Sequence, residues 1–332
     1  MTHKNAVVAA IEEPEIFETY RRQHVTYPKS FLSVLDISSD GLEHLLDVAA
    51  SLKVDRRLRR VISQPLAGRH VAMLFEKPSL RTRTTFVIAV RELGGEVIEP
   101  LPDVIFGGRE TVEDVARNLE RWVAGVIVRT YEQEKLVRLD QAAPDLHVVN
   151  ALTDDEHPCQ ALADMLTLRE AFGNLKGRVL TFVGDGNNVA ASLAHAGAML
   201  GLHVRVASPE GYELPASVVQ ASMAVAEHGG TVTVTNDPSE AVRGADAVYT
   251  DVWASMGQED ETELRARLFA PYQVNDELMA KAGPETLFMH CLPAHRGAEV
   301  TDTVMDSAAS VVFHQAENRL HTQKALLALL MS

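Results

Sequence analysis

Short runs of aliphatic and β-branched residues alternate along the chain with longer stretches in which apolar residues recur every three or four positions. The runs "HVAMLF" (70–75), "GVIV" (125–128), "LHVVN" (146–150), "RVLTFVG" (178–184), "HVRVAS" (203–208), "TVTVTN" (231–236), "AVYTD" (247–251), "TLFMHC" (286–291) and "VVFHQ" (311–315) read as strands. Helical spacing appears in "GLEHLLDVAASLK" (41–53), "PCQALADMLTLREAF" (158–172), "NVAASLAHAGAML" (188–200) and "PASVVQASMAVAEH" (215–228), and at Phe86, Val87, Val90 and Leu93 after the first strand. Strand and helix in turn predict an α/β protein with parallel sheets covered on both faces. A last helix, "AENRLHTQKALLALLM" (316–331), has its apolar side at Leu326, Leu327 and Leu330.

Length turns one sheet into two. A chain of 332 residues exceeds what a single core serves, and the turn formers and charges of "NALTDDEHP" (150–158) mark the expected break between domains. Lys and Arg number 31 against 46 Asp and Glu, a net charge of −15. That balance argues against a nucleic-acid or anionic-membrane surface and makes any local cluster of cations informative. The two cysteines, Cys159 and Cys291, lie far apart in a thiol-poor chain, so no disulfide is expected and a reducing cytoplasm is the fitting compartment. No apolar run approaches the roughly 20 residues that span a bilayer, and the acidic start "MTHKNAVVAAIEEPEIFETY" does not suit a targeting peptide. The expectation is a soluble, cytoplasmic protein.

Against this acidic background "EKPSLRTRTTF" (76–86) gathers Lys77, Arg81 and Arg83 with Ser79, Thr82, Thr84 and Thr85 where a strand gives way to a helix. Ser79 suits an N-cap, and the unpaired amides of a first helical turn, joined by a guanidinium fork and a hydroxyl, form an anion site. The same residues also suit a simple cap followed by a solvated basic turn. Glycines of a P-loop are missing, so a phosphate is suggested without a nucleotide. In "HPCQALAD" (157–164) Pro158 fits the first helical position, placing His157 at the helix entrance and Gln160 and Asp164 on one face. This grouping suits a small group carrying a carbonyl and an NH2; the plainer alternative has His157 capping the helix and Gln160 on the surface.

"FVGDGNNV" (182–189) lacks the third glycine of a dinucleotide fingerprint, and Ala207 and Ser208 stand where the next strand would end in an acid. It is expected to bring a helix N-terminus and Asn188 to the mouth of a sheet. "YTDVWASMG" (249–257) ends a strand in Asp251 and continues through Ser255 and Met256, and "FMHCLPAHRG" (288–297) ends another in His290 and Cys291. His290, Cys291 and His295 lack a tetrahedral partner set at recognised spacing, so no metal site is expected. Cys159 reads as a small buried hydrophobe.

Taken in order, "SLRTR", "VRT" (128–130), "HPCQALAD", "DVWASMGQE" (251–259) and "HCLPAHRG" with "QAENR" (315–319) resemble the aspartate/ornithine carbamoyltransferase family, its ornithine-specific members most closely, from "FLSVLDISSDGLEHLL" (31–46) to the C-terminus. The resemblance implies two doubly wound domains with parallel sheets and a last helix that returns to the first domain. The implied division is an N-terminal extension at 1–28, a carbamoyl phosphate-binding domain at 29–152 completed by the helix 316–332, and an ornithine-binding domain at 153–315. It further implies transfer of a carbamoyl group from carbamoyl phosphate to the δ-amine of L-ornithine, as in arginine biosynthesis, without metal or organic cofactor, by a homotrimer or stacked trimers.

By the same resemblance, Ser79, Leu80, Arg81 and Thr82 hold the phosphate, and Arg129, His157 and Gln160, with Arg319 nearby, hold the carbamoyl group. Asn188, Asp251, Ser255 and Met256 hold the backbone of ornithine, and Cys291 and Leu292 lie near its side-chain amine; Arg129, His157 and Cys291 are the catalytic candidates. Leu80 departs from the family's usual threonine, keeping the amide but losing a hydroxyl. In "PDVIFGGRE" (102–110), a loop that in the family reaches a neighbouring subunit, Ile105 replaces a polar residue and Arg109 is the one cation. Competing readings are a sibling acting on aspartate, acetylated ornithine or putrescine, a nicotinamide-dependent oxidoreductase, and a noncatalytic paralogue.

Overall fold

The computed structural model describes residues 25–101, 108, 110–254 and 259–331. In the first half, β1 (His70–Phe75), β2 (Glu96–Ile98), β3 (Gly125–Arg129) and β4 (His147–Leu152) form a parallel sheet in the order β2-β1-β3-β4. In the second, β5 (Val179–Val183), β6 (His203–Ala207), β7 (Thr231–Thr235), β8 (Ala247–Thr250) and β9 (Leu287–His290) form another, also parallel, in the order β7-β6-β5-β8-β9. The helices are α1 (Ser39–Arg57), α2 (Leu80–Glu92), α3 (Val112–Glu120), α4 (Gln133–Ala142), α5 (Pro158–Phe172), α6 (Asn188–Met199), α7 (Ala216–Ala224), α8 (Pro238–Ala241), α9 (Thr262–Phe269), α10 (Asp276–Ala282), α11 (Asp302–Met305) and α12 (Val312–Met331). The expected class, two doubly wound parallel α/β units, is the observed one. All five residues of β3 are buried, as strands covered on both faces require.

Among the strands, two differ from the sequence reading. "VVFHQ" is not a strand: the chain makes a single parallel bridge, Ser310 to Phe288, and then turns into α12 at Val312. Val312 and Gln315 are buried while Phe313 and His314 are exposed, a helical spacing that the β-branched pair Val311 and Val312 hid. The short edge strand β2, "EVI", escaped notice because three residues carry no period.

α12 packs on α1, α2 and α5, returning to the first half. Its predicted apolar side understates its burial, since Arg319, Thr322, Gln323 and Lys324 are as inaccessible as Leu326 and Leu327. Buried cations need partners, and Lys324 has the Glu92 carboxylate of α2 at 2.5 Å. Both cysteines are free thiols. Among the described residues no helix is long and apolar enough to cross a membrane. Ile105, Arg109, Ser255 and Met256 lie outside the described residues, as do residues 1–24 of the expected extension.

Candidate active site

In each sheet the strand order reverses once, between β1 and β3 and between β5 and β8, and loops diverging from such a reversal leave a crevice at the carboxyl ends of the strands. The two crevices face one another across a single cavity of about 700 Å³. Segments following β1, β3, β4, β5, β8 and β9 all reach it.

The stretch after β1 divides its labour. Ser79 is the N-cap of α2, its hydroxyl accepting the Thr82 N–H at 3.2 Å. Leu80 opens the helix, 77% exposed at the cavity rim. Arg83 turns away to Glu99, 2.5 Å from it. Arg81 turns inward to line the cavity, and its guanidinium makes no hydrogen bond or ion pair among the described residues. Arg129, at the end of β3, reaches Thr82 Oγ1 at 3.5 Å through Nη1, and its buried Nε has no partner there. Arg319 of α12 donates to Gln160 Oε1 at 2.5 Å and to Thr82 Oγ1 at 3.0 Å.

Gln160 lies buried behind Arg319 rather than on the cavity wall, and therefore is neither the surface residue of the plainer reading nor a lining one. Its Nε2 donates to Asp164 at 2.8 Å, and Asp164 also accepts from Gln315 at 2.9 Å and from the Tyr249 hydroxyl at 3.1 Å. Burial pushes the Asp164 carboxyl up to about 6 despite these donors.

His157 precedes α5, but its side chain does not cap the helix; its backbone N–H donates to Ser192 Oγ at 3.0 Å. The ring lines the cavity with Nδ1 unpartnered among the described residues. Burial, reinforced by Arg319, Arg129 and Arg81, holds its pKa well below the usual value, so the ring is neutral near pH 7. Burial and Arg319 bring Arg129 down to about 10, still protonated there.

On the opposite wall Asp251, past β8, accepts from the Cys291 thiol at 3.0 Å and from Asn187 Nδ2 at 3.0 Å. Burial and that carboxylate push the Cys291 thiol well up, so it is a thiol and not a thiolate. Asn188 lines the cavity and donates to the Thr153 carbonyl. Leu292 follows with φ of 60°. Asp251, His290 and Cys291 bring donor atoms within 4.8 Å of one another, whereas His295 stands outside that set. Cys159 is the buried hydrophobe expected, its thiol pushed up to about 12 by burial.

Sequence reasoning counted Lys77 only among the cations of its cluster and gave no role to Asn187. Lys77 is buried at the cavity wall, 2.5 Å from Asp154 and 4.1 Å above the Tyr131 ring. Its place in the basic cluster was visible, but its pairing was not. Asn187 is the true cap of α6, accepting from Val189 and Ala190 while it donates to Asp251. The signal for it was an asparagine immediately before the helix.

Two facing parallel α/β units with arginines on one wall of a shared cavity and a carboxylate and thiol on the other define an enzyme of group transfer from an anionic donor. The chain belongs to the aspartate/ornithine carbamoyltransferase family. Residues 29–170 match its carbamoyl-P binding domain and residues 176–330 its Asp/Orn binding domain. The ornithine carbamoyltransferase of Anoxybacillus flavithermus is 48% identical over 91% of this chain and 96% of its own length, and that of Symbiobacterium thermophilum is 50% identical over 92% and 98%. Among solved structures, the ornithine carbamoyltransferase from Pyrococcus furiosus superposes with a TM-score of 0.89 at 45% identity, covering 92% of this chain and 98% of that one.

Proposed function

We propose that this enzyme transfers the carbamoyl group of carbamoyl phosphate to the δ-amine of L-ornithine, giving L-citrulline and phosphate, a step of arginine biosynthesis. The observation that carries the reading is the polarity of the cavity, with Arg81, Arg129, Arg319 and the first turn of α2 facing Asp251, Cys291 and Leu292. Ser79, Leu80, Arg81 and Thr82 take the phosphate through amides, hydroxyl and guanidinium. Arg129 and neutral His157 hold the carbonyl oxygen, and Gln160 acts from behind by fixing Arg319. Asn188 and Asp251 receive the amino acid's backbone, joined by Ser255 and Met256, and Cys291 with Leu292 receives the amine.

The neutral amine attacks the carbonyl carbon, a new C–N bond forms, and negative charge gathers on the oxygen beside Arg129 and His157. Collapse breaks the C–O bond to phosphate, which leaves as hydrogen phosphate with the proton the amine nitrogen gives up, and Arg81 and the helix amides take up its charge. Cys291 stays a neutral thiol and forms no bond to substrate. Positioning and electrostatics supply the acceleration. The chain divides into a donor half, 29–152 with the helix 316–332, and an acceptor half, 153–315, and works as a homotrimer or stacked trimers.

Citrulline formation across candidate amines tests the reading. L-Ornithine should exceed N-acetylornithine and aspartate by about a hundredfold or more in kcat/KM, because a buried charge left without its partner costs about 2–5 kcal/mol. Comparable kcat/KM for acetylornithine would defeat the assignment of Asn188 and Asp251.

A further inference from the structure

Glu299 is a buried carboxylate for which the chemistry above has no use. It is 1% exposed; Oε1 lies 3.2 Å from Nε2 of His290 and accepts the His295 N–H at 2.5 Å, while Oε2 has no hydrogen-bond partner among the described residues. His290 closes β9, fully buried, and its other ring nitrogen accepts the backbone N–H of Leu292 at 2.9 Å. A nitrogen that accepts an amide N–H carries no proton itself, so Nδ1 is bare and the ring proton sits on Nε2, directed at Glu299. The ring thus spans two jobs, with the carboxylate at one end and the backbone of the cavity wall at the other.

That backbone needs holding. Leu292 sits at φ of 60°, in the left-handed region where a side chain is disfavoured. Its N–H belongs to the peptide joining Cys291 to Leu292, and a planar trans peptide fixes N–H and C=O on opposite sides. Anchoring the N–H on His290 therefore sets the plane of the peptide between the two residues that line the amine end of the cavity.

We propose that Glu299 is a positioning residue for the acceptor amine: it keeps the His290 proton on Nε2, which leaves Nδ1 to grip the Leu292 N–H and hold the Cys291–Leu292 peptide in place. The inference rests on the ornithine reading. With Glu299 gone, the tautomer carrying a proton on Nδ1 becomes accessible, setting donor against donor at Leu292. Among the described residues the donor-binding Ser79, Arg81 and Arg129 make no hydrogen bond or ion pair with His290 or Glu299, whose side-chain partners, apart from each other, are Leu292 and His295, so the damage falls on the amine side.

Glu299→Ala and Glu299→Gln, with the unmodified enzyme, test this. A glutamine oxygen can accept both the ring N–H and the His295 N–H, so it keeps the tautomer while discarding the charge. Loss of one such hydrogen bond predicts a rise in KM for ornithine of about tenfold in Glu299→Ala, with KM for carbamoyl phosphate within about twofold, and recovery of most of that loss in Glu299→Gln. Nitrogen-15 NMR of the imidazoles should find His290 protonated at Nε2 in the unmodified enzyme and in Glu299→Gln, and mixed in Glu299→Ala. Equal rises in both KM values, an ornithine KM unmoved in Glu299→Ala, or His290 protonated at Nδ1 in the unmodified enzyme would overturn the proposal. The last readout holds even where Glu299→Ala does not fold. Absence of citrulline from the unmodified enzyme would refute the function instead, leaving the tautomer spectrum to judge this inference separately.

Discussion

Arg81→Ala separates binding from folding at the stretch where the two were hardest to tell apart. Ser79, not Arg81, caps α2, and the Arg81 guanidinium makes no hydrogen bond or ion pair among the described residues, so its removal takes no polar contact from the fold. The expected stability change is that of a substitution away from such features, within about 0.5 kcal/mol. Binding should behave differently. A charge-assisted hydrogen bond to phosphate contributes about 1.5–3 kcal/mol, roughly a 10- to 150-fold loss in affinity. Titration calorimetry with carbamoyl phosphate and with inorganic phosphate, alongside thermal melts, measures both quantities. Unchanged affinity with a lowered melting temperature would refute the reasoning and return Arg81 to a structural role. Ser79→Ala is the control, expected to cost about 0.5–2 kcal/mol of stability through the lost cap.

Asp164→Asn should flatten one part of the stability profile: the native carboxyl is held up from the ordinary 3.8 to about 6, so the folded state binds the extra proton between those values and loses stability as pH rises through them. A displacement of that size corresponds to about 3 kcal/mol, readable as the difference between the urea midpoints of the two proteins at pH 4 and pH 7; identical pH slopes would count against it. If the proposed trimer shares its sites between subunits, mixing Arg81→Ala and Arg109→Ala subunits under exchange conditions should restore activity in hybrids whose sites combine one intact residue from each. No recovery despite demonstrated exchange would mean that each subunit works alone.

Much of this protein is legible in local sequence because the signals are local. Strand positions follow from short apolar runs, and "PCQALADMLTLREAF" matches α5 residue for residue, since Pro158 starts it and Gly173 ends it. The residue types of an anion site cluster within a few positions after β1, where one helical turn collects them. What folding adds is direction and distance. Arg81 and Arg83 look alike in sequence, yet one faces the cavity and the other Glu99, because two positions along a helix point about 200° apart. Arg319 meets Thr82 across 237 residues of chain, and α12 is buried on nearly every side because α1, α2 and α5 surround it. "VVFHQ" has the composition of a strand and the fate of a helix, as pairing with β9 stops after one bridge. His290 and Glu299 show the same limit: nine residues apart in sequence, they meet in the interior because the loop between them doubles back, and which nitrogen carries the proton follows from that meeting. Periodicity and residue chemistry act over a turn or a strand, whereas burial and pairing depend on what the rest of the chain brings alongside.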